Sequence, residues 1–357
     1  MGSKPPLSIH PRNILVRMPN WLGDFVMATP ILADLRHHWP EAKITAMCQG
    51  ALGSVIQEDP HIDSVLNFKK TKSLLNNRVS NEIVSLQTEH YDLGILLTNS
   101  FSSAWWLWKG NVQNRLGFAS HWRSWLLNYP VPFPAERSKQ HLVTTYKQLL
   151  HPLGIPFSST DPKLYIAKQE QNAIQEWLFK EGIHKEDLII GINPGAAYGS
   201  AKCWLPDRFT ILAAKLLENP RIKIVFFGDK AGAPLVEDIC TKLPKRVVNL
   251  AGKTSLRELM AFIQACDIFL TNDSGPMHVA SALSTPLIAL FGSTSDVATG
   301  PYKGGKVIHK HVPCSPCYRR ECPIDFRCMK QIEVDEVYRE LQELVNEASQ
   351  TSAVRSS

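Results

Sequence analysis

The sequence predicts an α/β protein made of two doubly wound domains, each built on a parallel sheet. Short apolar runs rich in β-branched residues alternate with amphipathic helical stretches, as in chains that connect parallel strands by crossover helices. The alternation starts again in the second half, after a turn-rich segment over residues 153–162 that has linker composition. At about 100–200 residues per domain, 357 residues suffice for two domains. Two facing arrays would form a cleft, because ligands bind at the carboxyl ends of such strands.

The individual elements follow from apolar periodicity. In the first domain, residues 1–165, strands are predicted over 13–18, 44–48 and 93–97, and one helix over 24–38. In the second domain, residues 166–332, a helix is predicted over 169–182 and strands over 188–193, 222–227, 268–271 and 287–291. Ser255 and Glu258 have the spacing of a capping box that opens another helix. A last helix within 333–348 precedes a tail, residues 349–357, that we expect to be disordered.

Composition and charge exclude several classes of protein. The apolar fraction of 44% excludes a disordered chain, and we find no apolar run of the roughly 18 residues that a membrane span needs. The net charge of +6 is too small to indicate nucleic-acid binding, but it suits an anionic ligand or an anionic membrane surface. Residues 1–6 lack the apolar stretch of a signal peptide, so we expect a cytoplasmic protein.

A carboxylate follows the first predicted strand, in the loop Pro19-Asn-Trp-Leu-Gly-Asp24. Gly23 permits a tight turn, and Asp24 falls in the first turn of the next helix. Two interpretations stay open on spacing alone. Asp24 caps the helix, where aspartate is preferred, or it acts as a general base at the mouth of the sheet.

A glycine-rich loop follows the first strand of the second domain, from Asn193 to Trp204. Gly195 and Gly199 would let the backbone approach a ligand, and Lys202 adds a positive charge. This composition favours a phosphate cradle, although the spacing is neither that of a P-loop nor that of a dinucleotide-binding loop. The alternative is an ordinary glycine-rich connection.

A third loop reads Thr271-Asn-Asp-Ser-Gly-Pro-Met-His278. Ser274 can cap the helix that Gly275 and the proline after it open, and amides at that end would point at an anion. An anion would repel Asp273, so its better use is to accept hydrogen bonds from sugar hydroxyls. His278 reaches the same ligand or is a structural histidine.

Metal and nucleotide signals elsewhere are few. The sequence Gly252-Lys253-Thr254 ends like a P-loop but lacks the earlier glycine, and no Asp-x-Asp motif is present. Four clustered cysteines have the spacing C-x₂-C-x₄-C-x₅-C, and they are Cys314, Cys317, Cys322 and Cys328. They bind zinc in a tetrahedral site or form a loop that packs without metal.

Aromatic and basic residues are interleaved between positions 105 and 125. Five of the nine tryptophans lie there, and no acidic residue occurs from 101 to 135. We expect Trp105, Trp106, Arg115 and Arg123 on an acceptor-binding or membrane-facing side, because tryptophan with basic residues suits an anionic lipid interface. The alternative is a partly buried helix.

In this order and spacing, the three loops resemble those of the ADP-heptose:lipopolysaccharide heptosyltransferases of glycosyltransferase family 9, most of all the type II subgroup. The resemblance runs from residue 13 to about residue 344, and the Pro-Cys-Ser-Pro-Cys block fits the same subgroup. It implies a GT-B fold, in which the N-terminal domain takes the inner-core lipopolysaccharide (Kdo-lipid A) acceptor and the C-terminal domain takes ADP-heptose. It further implies a last helix that returns to the first domain, and an inverting transfer that requires no metal.

The resemblance also implies roles for individual residues. Asp24 matches the catalytic base, and Lys202 matches the lysine near the donor phosphates. The positions that match or loosely match other donor contacts are Gly195, Asp273, Ser274, Gly275 and His278 around the diphosphate and sugar, Asp229 at the ribose and Thr254 at the adenine. The expected location is the cytoplasm, with the protein peripheral on the inner face of the inner membrane. The alternatives are another GT-B nucleotide-sugar transferase or epimerase, or a glycan-binding protein without activity.

Overall fold

The computed structural model describes residues 9–69, 77–120 and 122–355. The chain divides into two compact units, Met1–Tyr165 and Ile166–Ser357, and the division falls where the sequence places the end of the first domain. The expectation about residues 1–6, and the last two residues of the predicted tail, lie outside the described residues. Among the described residues, no helix combines the length and the apolar character needed to cross a membrane.

The first unit is a six-stranded parallel sheet with helices packed in two groups. Its strands are β1 Asn13–Arg17, β2 Lys43–Gln49, β3 Ser64–Phe68, β4 Leu93–Leu96, β5 Asn114–Phe118 and β6 Tyr129–Val131. Its helices are α1 Leu22–Met27, α2 Pro30–His38, α3 Asn77–Glu89, α4 Phe101–Lys109 and α5 Leu142–Gln148. Helices α1 and α2 contact α5, while α3 contacts α4. The strand order β3-β2-β1-β4-β5-β6 is that of a doubly wound Rossmann-type sheet.

The second unit repeats this architecture. Its strands are β7 Leu188–Asn193, β8 Ile222–Phe226, β9 Val248–Asn249, β10 Ile268–Asn272, β11 Leu287–Phe291 and β12 Lys306–His309. Its helices follow as α6 Lys168–Lys180, α7 Pro206–Leu216, α8 Ala233–Thr241, α9 Leu256–Ala265, α10 Gly275–Ala282, α11 Asp296–Thr299, α12 Arg327–Lys330 and α13 Val334–Arg355. The order β12-β11-β10-β7-β8-β9 is again the Rossmann order, and the topological switch point lies between β7 and β10. The two sheets confirm the predicted fold class.

A proline divides the helix that the sequence predicts over 24–38. Two helices, α1 and α2, stand there because Pro30 has no amide hydrogen to donate to the carbonyl of Val26, one turn earlier. The hydroxyl of Thr29 donates to that carbonyl instead, at 2.9 Å. The first of the two helices is therefore short, and it ends soon after Asp24.

The turn-rich segment 153–162 is fixed on the first unit rather than acting as a free linker. Both carboxylate oxygens of the buried Asp34, on α2, accept hydrogen bonds from it, from the Ser158 hydroxyl at 2.9 Å and the Thr160 hydroxyl at 2.8 Å. The ammonium of Lys147, on α5, donates to the Ser158 carbonyl at 3.0 Å. A buried carboxylate needs such donors, so turn residues here satisfy a core charge.

The last helix belongs to the second unit, whereas the resemblance leads us to expect it on the first domain. Val337, Leu341 and Val345 of α13 lie in the same buried cluster as Trp204 of the glycine-rich loop. The helix also continues to Arg355, past position 349 where we expect disorder. Residues 334–355 contain no proline or glycine, so the sequence of this stretch has no residue that would terminate the helix.

Candidate active site

Three loops of the second unit meet at the carboxyl ends of β7, β10 and β11. The side-chain amide of Asn193 donates to the hydroxyls of Thr271 at 3.3 Å and Ser274 at 3.2 Å. The side chain of Asn272 reaches back, donating to the Pro194 carbonyl at 2.7 Å and accepting from the Trp204 amide at 2.9 Å. Two asparagines thus connect the loops at the switch point, where ligands bind in sheets of this kind.

Lys202 and Asp273 form an ion pair at this point. Lys202 Nζ lies 2.5 Å from Asp273 Oδ2, which also accepts a 2.5 Å hydrogen bond from the hydroxyl of Thr294, in the loop after β11. The Lys202 side chain is 14% exposed and that of Asp273 is 4% exposed. The sequence predicts a phosphate contact for the lysine and a sugar contact for the aspartate. In this structure the two charges compensate each other, which places both at one site.

The N-terminus of α10 lies next to this pair. Ser274 is its N-cap residue, but the Ser274 side chain makes no capping hydrogen bond, so the predicted cap is wrong. Its hydroxyl is instead within 2.9 Å of the Thr271 hydroxyl. The helix begins with Gly275 and a proline, and His278 lies one turn further on and is buried. The first amides of α10 therefore donate no hydrogen bond to the side chain at their own cap.

The two predicted cradle glycines differ in function. A β-carbon on Gly195 would meet no atom within 4 Å, so this position borders open space. A β-carbon on Gly199 would lie 2.3 Å from the carbonyl oxygen of Arg320, which accepts a hydrogen bond from the Ala201 amide at 2.9 Å. Gly199 therefore permits the cysteine-rich segment, and not a ligand, to approach the loop that carries Lys202.

Asp229 and Thr254 follow the carboxyl ends of β8 and β9, at the same edge of the sheet as Lys202. The carboxylate of Asp229 accepts a 2.7 Å hydrogen bond from the Gly232 amide and so orders the turn before α8. Thr254 immediately precedes Ser255, the N-cap of α9. Each residue thus stands in or next to the turn that starts a helix, and their predicted donor contacts stay predictions.

Asp24 stands in the first unit, in the first turn of α1 after β1. The N-cap residue of α1 is Trp21, so Asp24 is not the cap that one interpretation predicts. Asp24 is half-buried. Burial raises the pKa of the Tyr146 hydroxyl on α5 well above its ordinary value, and the negative charge of Asp24 raises it further. The aspartate side chain is therefore near a buried phenol, on the helix that opens the unit.

Buried Arg17 fixes the start of the Asp24 loop. Its guanidinium lies over the Phe68 ring at 4.3 Å, donates to the Asn20 side chain at 2.7 Å and also donates to the Met18 carbonyl. Burial lowers the pKa of Arg17 to about 10. The buried guanidinium thus holds the start of the loop, at Met18 and Asn20, by hydrogen bonds.

Two of the four residues that we expect on an acceptor-binding or membrane-facing side, Trp106 and Arg123, are buried. Arg123 is fully buried, donates to the carbonyls of Phe118 at 3.0 Å and Thr98 at 2.5 Å, and has a pKa lowered to about 10 by burial. Arg115 donates to the Leu126 carbonyl at 2.7 Å. Trp106 packs edge-on against the Phe68 ring inside the core, and Trp105 is half-buried. Both arginines donate mainly to backbone carbonyls, which is a structural use of a guanidinium.

Exposed aromatic side chains do occur in the same segment. Trp122 is 92% exposed and Trp125 is 66% exposed, and Trp108 and Phe101 on α4 are also exposed. The Trp125 ring lies 6.2 Å from each of those two rings. We call these four residues the aromatic patch.

The four clustered cysteines have free thiols. Burial raises the pKa of the Cys328 thiol, and the charges of the other three add to this effect, so all four lie within electrostatic reach. Within the described residues they do not form a group whose sulfur atoms all lie within 4.8 Å of one another. Zinc binding by these cysteines stays a prediction.

Sequence reasoning missed Thr294 and the asparagines. Thr294 follows β11 within the polar run Ser293-Thr294-Ser295, and a polar run after a buried parallel strand is the signal that marks the other two loops. Asn193 and Asn272 are the last residues of their strands, and an amide at a strand end next to the switch point is a weaker signal of the same kind.

Two Rossmann-like units, a lysine and a helix N-terminus at one switch point, and a carboxylate after the first strand define a glycosyltransferase of the GT-B class. The model of glycosyltransferase family 9 (heptosyltransferase) matches residues 82–326. This chain therefore belongs to glycosyltransferase family 9.

Relatives with known names or structures cover nearly the whole chain. Lipooligosaccharide heptosyltransferase 2 of Campylobacter jejuni is 28% identical over 93% of this chain and 98% of that protein. The structure of Escherichia coli ADP-heptose lipopolysaccharide heptosyltransferase II is 26% identical with a TM-score of 0.79, covering 94% of this chain and 99% of that one. A family 9 glycosyltransferase from Veillonella parvula has a TM-score of 0.82 at 23% identity, covering 94% of this chain and 97% of that one, and it shows the same fold.

Proposed function

We propose that this protein transfers heptose from ADP-heptose to the inner core of lipopolysaccharide with inversion at the anomeric carbon. The observation that carries the proposal is the Lys202–Asp273 pair beside the N-terminus of α10, at the β7–β10 switch point. The similarity to a lipooligosaccharide heptosyltransferase and to an ADP-heptose lipopolysaccharide heptosyltransferase supports it. The pair offers a cation for a diphosphate and a carboxylate for sugar hydroxyls within one small site.

The donor would bind by rearranging this pair. Its diphosphate would take the ammonium of Lys202 and the first amides of α10, because anions are stabilised at helix N-termini. Asp273 would keep the hydroxyl of Thr294 and accept hydrogen bonds from the heptose. The open space at Gly195 would admit the ligand to the backbone of the glycine-rich loop.

Asp24 would act as the general base. Its carboxylate takes the proton of an acceptor heptose hydroxyl while that oxygen forms a bond to the anomeric carbon of the donor. The bond from the anomeric carbon to the diphosphate oxygen breaks on the opposite face, and ADP leaves with the electron pair. Lys202 and the α10 amides stabilise the charge on ADP. General-base catalysis contributes about 10²–10⁴ in rate, and electrostatic stabilisation of a leaving group is typically as large.

The decisive experiment is a transfer assay with purified protein. We expect ADP release and a heptose-sized mass increase when ADP-heptose is mixed with lipopolysaccharide that stops before the added heptose. UDP-sugars and ADP-glucose serve as control donors, and an acceptor without inner-core heptose is the second control. Transfer from a UDP-sugar but not from ADP-heptose would identify a different nucleotide-sugar transferase. Donor binding without any product would identify a glycan-binding protein.

The aromatic patch supports a second part of the proposal, a peripheral position on the anionic inner face of the inner membrane. Exposed tryptophans insert at the headgroup level, and nearby lysines add attraction to anionic lipids. Lys109 Nζ lies 4.8 Å from the Trp108 ring, and the residues from 101 to 135 include no acidic side chain. The enzyme would then contact its lipid-linked acceptor at the membrane surface.

Vesicle binding tests this position. We expect the double variant Trp122→Ser/Trp125→Ser to bind vesicles with phosphatidylglycerol at least about tenfold more weakly, since burying a large apolar side chain is worth about 1.5–3 kcal/mol. The control is Phe179→Ser on α6, which removes from the second unit an aromatic side chain about as exposed as Trp125 (67% against 66%). Cosedimentation measures both variants. Equal loss in both, or no loss in the double variant, would contradict a role for the patch.

A further inference from the structure

Two histidines and an aspartate converge in the second unit, outside the loops that the proposed function uses. Asp296 is the first residue of α11, His309 is the last residue of β12, and His311 follows two positions later. One ligand atom from each lies within 4.8 Å of those from the other two. We propose that Asp296, His309 and His311 bind one divalent transition-metal ion of the zinc type.

The distances fit a metal-binding geometry. Asp296 Oδ1 lies 3.1 Å from His309 Nδ1, and Asp296 Oδ2 lies 3.6 Å from His311 Nε2. In a tetrahedral site with bonds of about 2.0–2.2 Å, neighbouring ligand atoms are roughly 3.3–3.6 Å apart. The centroids of the two imidazole rings lie 4.0 Å apart, and the ring planes are tilted by 42°. Small side-chain adjustments would therefore place all three ligand atoms around one ion.

The hydrogen bonds around His309 determine which nitrogen is available. The Ser315 hydroxyl donates to the Gly292 carbonyl, and its oxygen can accept from His309 Nε2, 2.9 Å away. In the neutral imidazole, Nδ1 then carries a lone pair that faces the Asp296 carboxylate. A cation at this position would contact both Nδ1 and the carboxylate oxygen, which lie 3.1 Å apart. Metal-binding histidines are usually oriented in this way, through a hydrogen bond at the other ring nitrogen.

Burial and charge around the three residues also suit an ion. The His309 side chain is 2% exposed and that of Asp296 is 22% exposed, so the two inner ligands are shielded from water. His311 is 66% exposed and gives a path from solvent. Lys310, between the histidines, lies 2.6 Å from the Glu336 carboxylate, which compensates its positive charge. Nitrogen and carboxylate ligands without sulfur favour ions such as Zn²⁺, Co²⁺ and Ni²⁺.

The ion would have a structural effect that reaches the candidate active site. Asp296 lies two residues after Thr294, whose hydroxyl holds Asp273. Ser293 lies between the end of β11 and Thr294. Its carbonyl accepts a hydrogen bond from the amide of Tyr318, in the cysteine-rich segment. A bound ion would therefore connect α11, the end of β12 and the segment that packs on the Lys202 loop.

Zinc titration of the full chain tests the proposal. Protein freed of its purification tag and of metal by EDTA is titrated with ZnCl₂ by calorimetry. We expect one zinc ion to bind per chain, through Asp296, His309 and His311. At a free zinc concentration of about 100 times the dissociation constant, the melting temperature should rise by roughly 5–10 °C. His311→Ala and Asp296→Asn should each lower the affinity at least about tenfold. His151→Ala, an exposed histidine of the first unit, is the matched control and should change nothing.

The neighbouring cysteines require their own control. The variant Cys314→Ser/Cys317→Ser should keep the zinc affinity of the parent, and Co²⁺ bound to the parent should lack an intense thiolate-to-cobalt absorption band. Circular dichroism confirms that each variant is folded. Loss of binding in the double-serine variant, unchanged binding in both His311→Ala and Asp296→Asn, or no zinc binding by the parent would each overturn the proposal.

Discussion

Replacing Asp24 with asparagine should lower turnover at least about a hundredfold, the lower end of the effect of a general base. The amide keeps the shape of the side chain but cannot take a proton from the acceptor. ADP affinity should change less than twofold, because the proposed donor contacts lie on the other unit. Steady-state transfer kinetics and calorimetry with ADP measure the two quantities.

The matched control for Asp24 is Glu41→Gln, which removes an exposed carboxylate from the same unit. It should leave turnover unchanged. The loss of a first-turn acid from α1 costs only about 0.3–1 kcal/mol of folding free energy, so the asparagine variant should remain folded. Turnover within tenfold of the parent would reject Asp24 as the base, and an equal loss in the Glu41 variant would indicate a general charge effect.

Replacing Lys202 with methionine should weaken ADP binding about 10- to 100-fold, since a hydrogen bond to a charged group contributes about 1.5–3 kcal/mol. The same change leaves the Asp273 carboxylate buried without its cation. Breaking a fully buried ion pair costs about 3–5 kcal/mol, and we expect about 2 kcal/mol here because Lys202 keeps 14% of its side chain exposed. The variant should therefore lose both affinity and stability.

A double-mutant cycle separates these two effects. Lys202→Met/Asp273→Asn has no unpaired buried carboxylate, so its free energy of unfolding should return close to that of the parent. Its affinity for ADP should remain low if the ammonium contacts the diphosphate. ADP is the right probe, since it lacks the sugar that Asp273 would contact. Affinity restored to the parent value would mean that Lys202 only neutralises Asp273, and the phosphate contact would be rejected.

Local patterns predicted much of the fold correctly. The capping box at Ser255 is present, with the Ser255 amide 2.8 Å from a Glu258 carboxylate oxygen and the Glu258 amide 3.2 Å from the Ser255 hydroxyl. The predicted strands are all present, because their apolar runs are short, continuous and bounded by turn residues.

Five strands were missed, namely β3, β5, β6, β9 and β12. Asn67 interrupts the apolar run of β3, Arg115 that of β5 and Pro130 that of β6. Strand β9 has only two residues and β12 begins with Lys306, so apolar runs do not mark these strands.

The aromatic and basic segment shows where local patterns fail. Trp106 and Trp125 lie in one tryptophan-rich stretch, yet the first is in the core and the second is exposed. Arg123 looks like a surface cation, but the carbonyls of Thr98 and Phe118 surround its guanidinium. Thr98 follows β4 and Phe118 is the last residue of β5, and these two strands pair in parallel. Their carbonyls come together only through this pairing, so no local feature of the sequence indicates it.

The sequence by itself determined the repeated α/β pattern, the loops that follow β1, β7 and β10, and the residue types at their ends, because strand periodicity, helix caps and turn residues act over a few positions. Only the tertiary structure decided which charges meet. Asn193 and Thr271 are 78 positions apart and hydrogen-bonded, because β7 and β10 pair in parallel and bring their carboxyl ends to one edge. The same strand pairing brings Lys202 close to Asp273. Because both side chains are largely buried, each charge needs an opposite charge beside it, and the two form an ion pair.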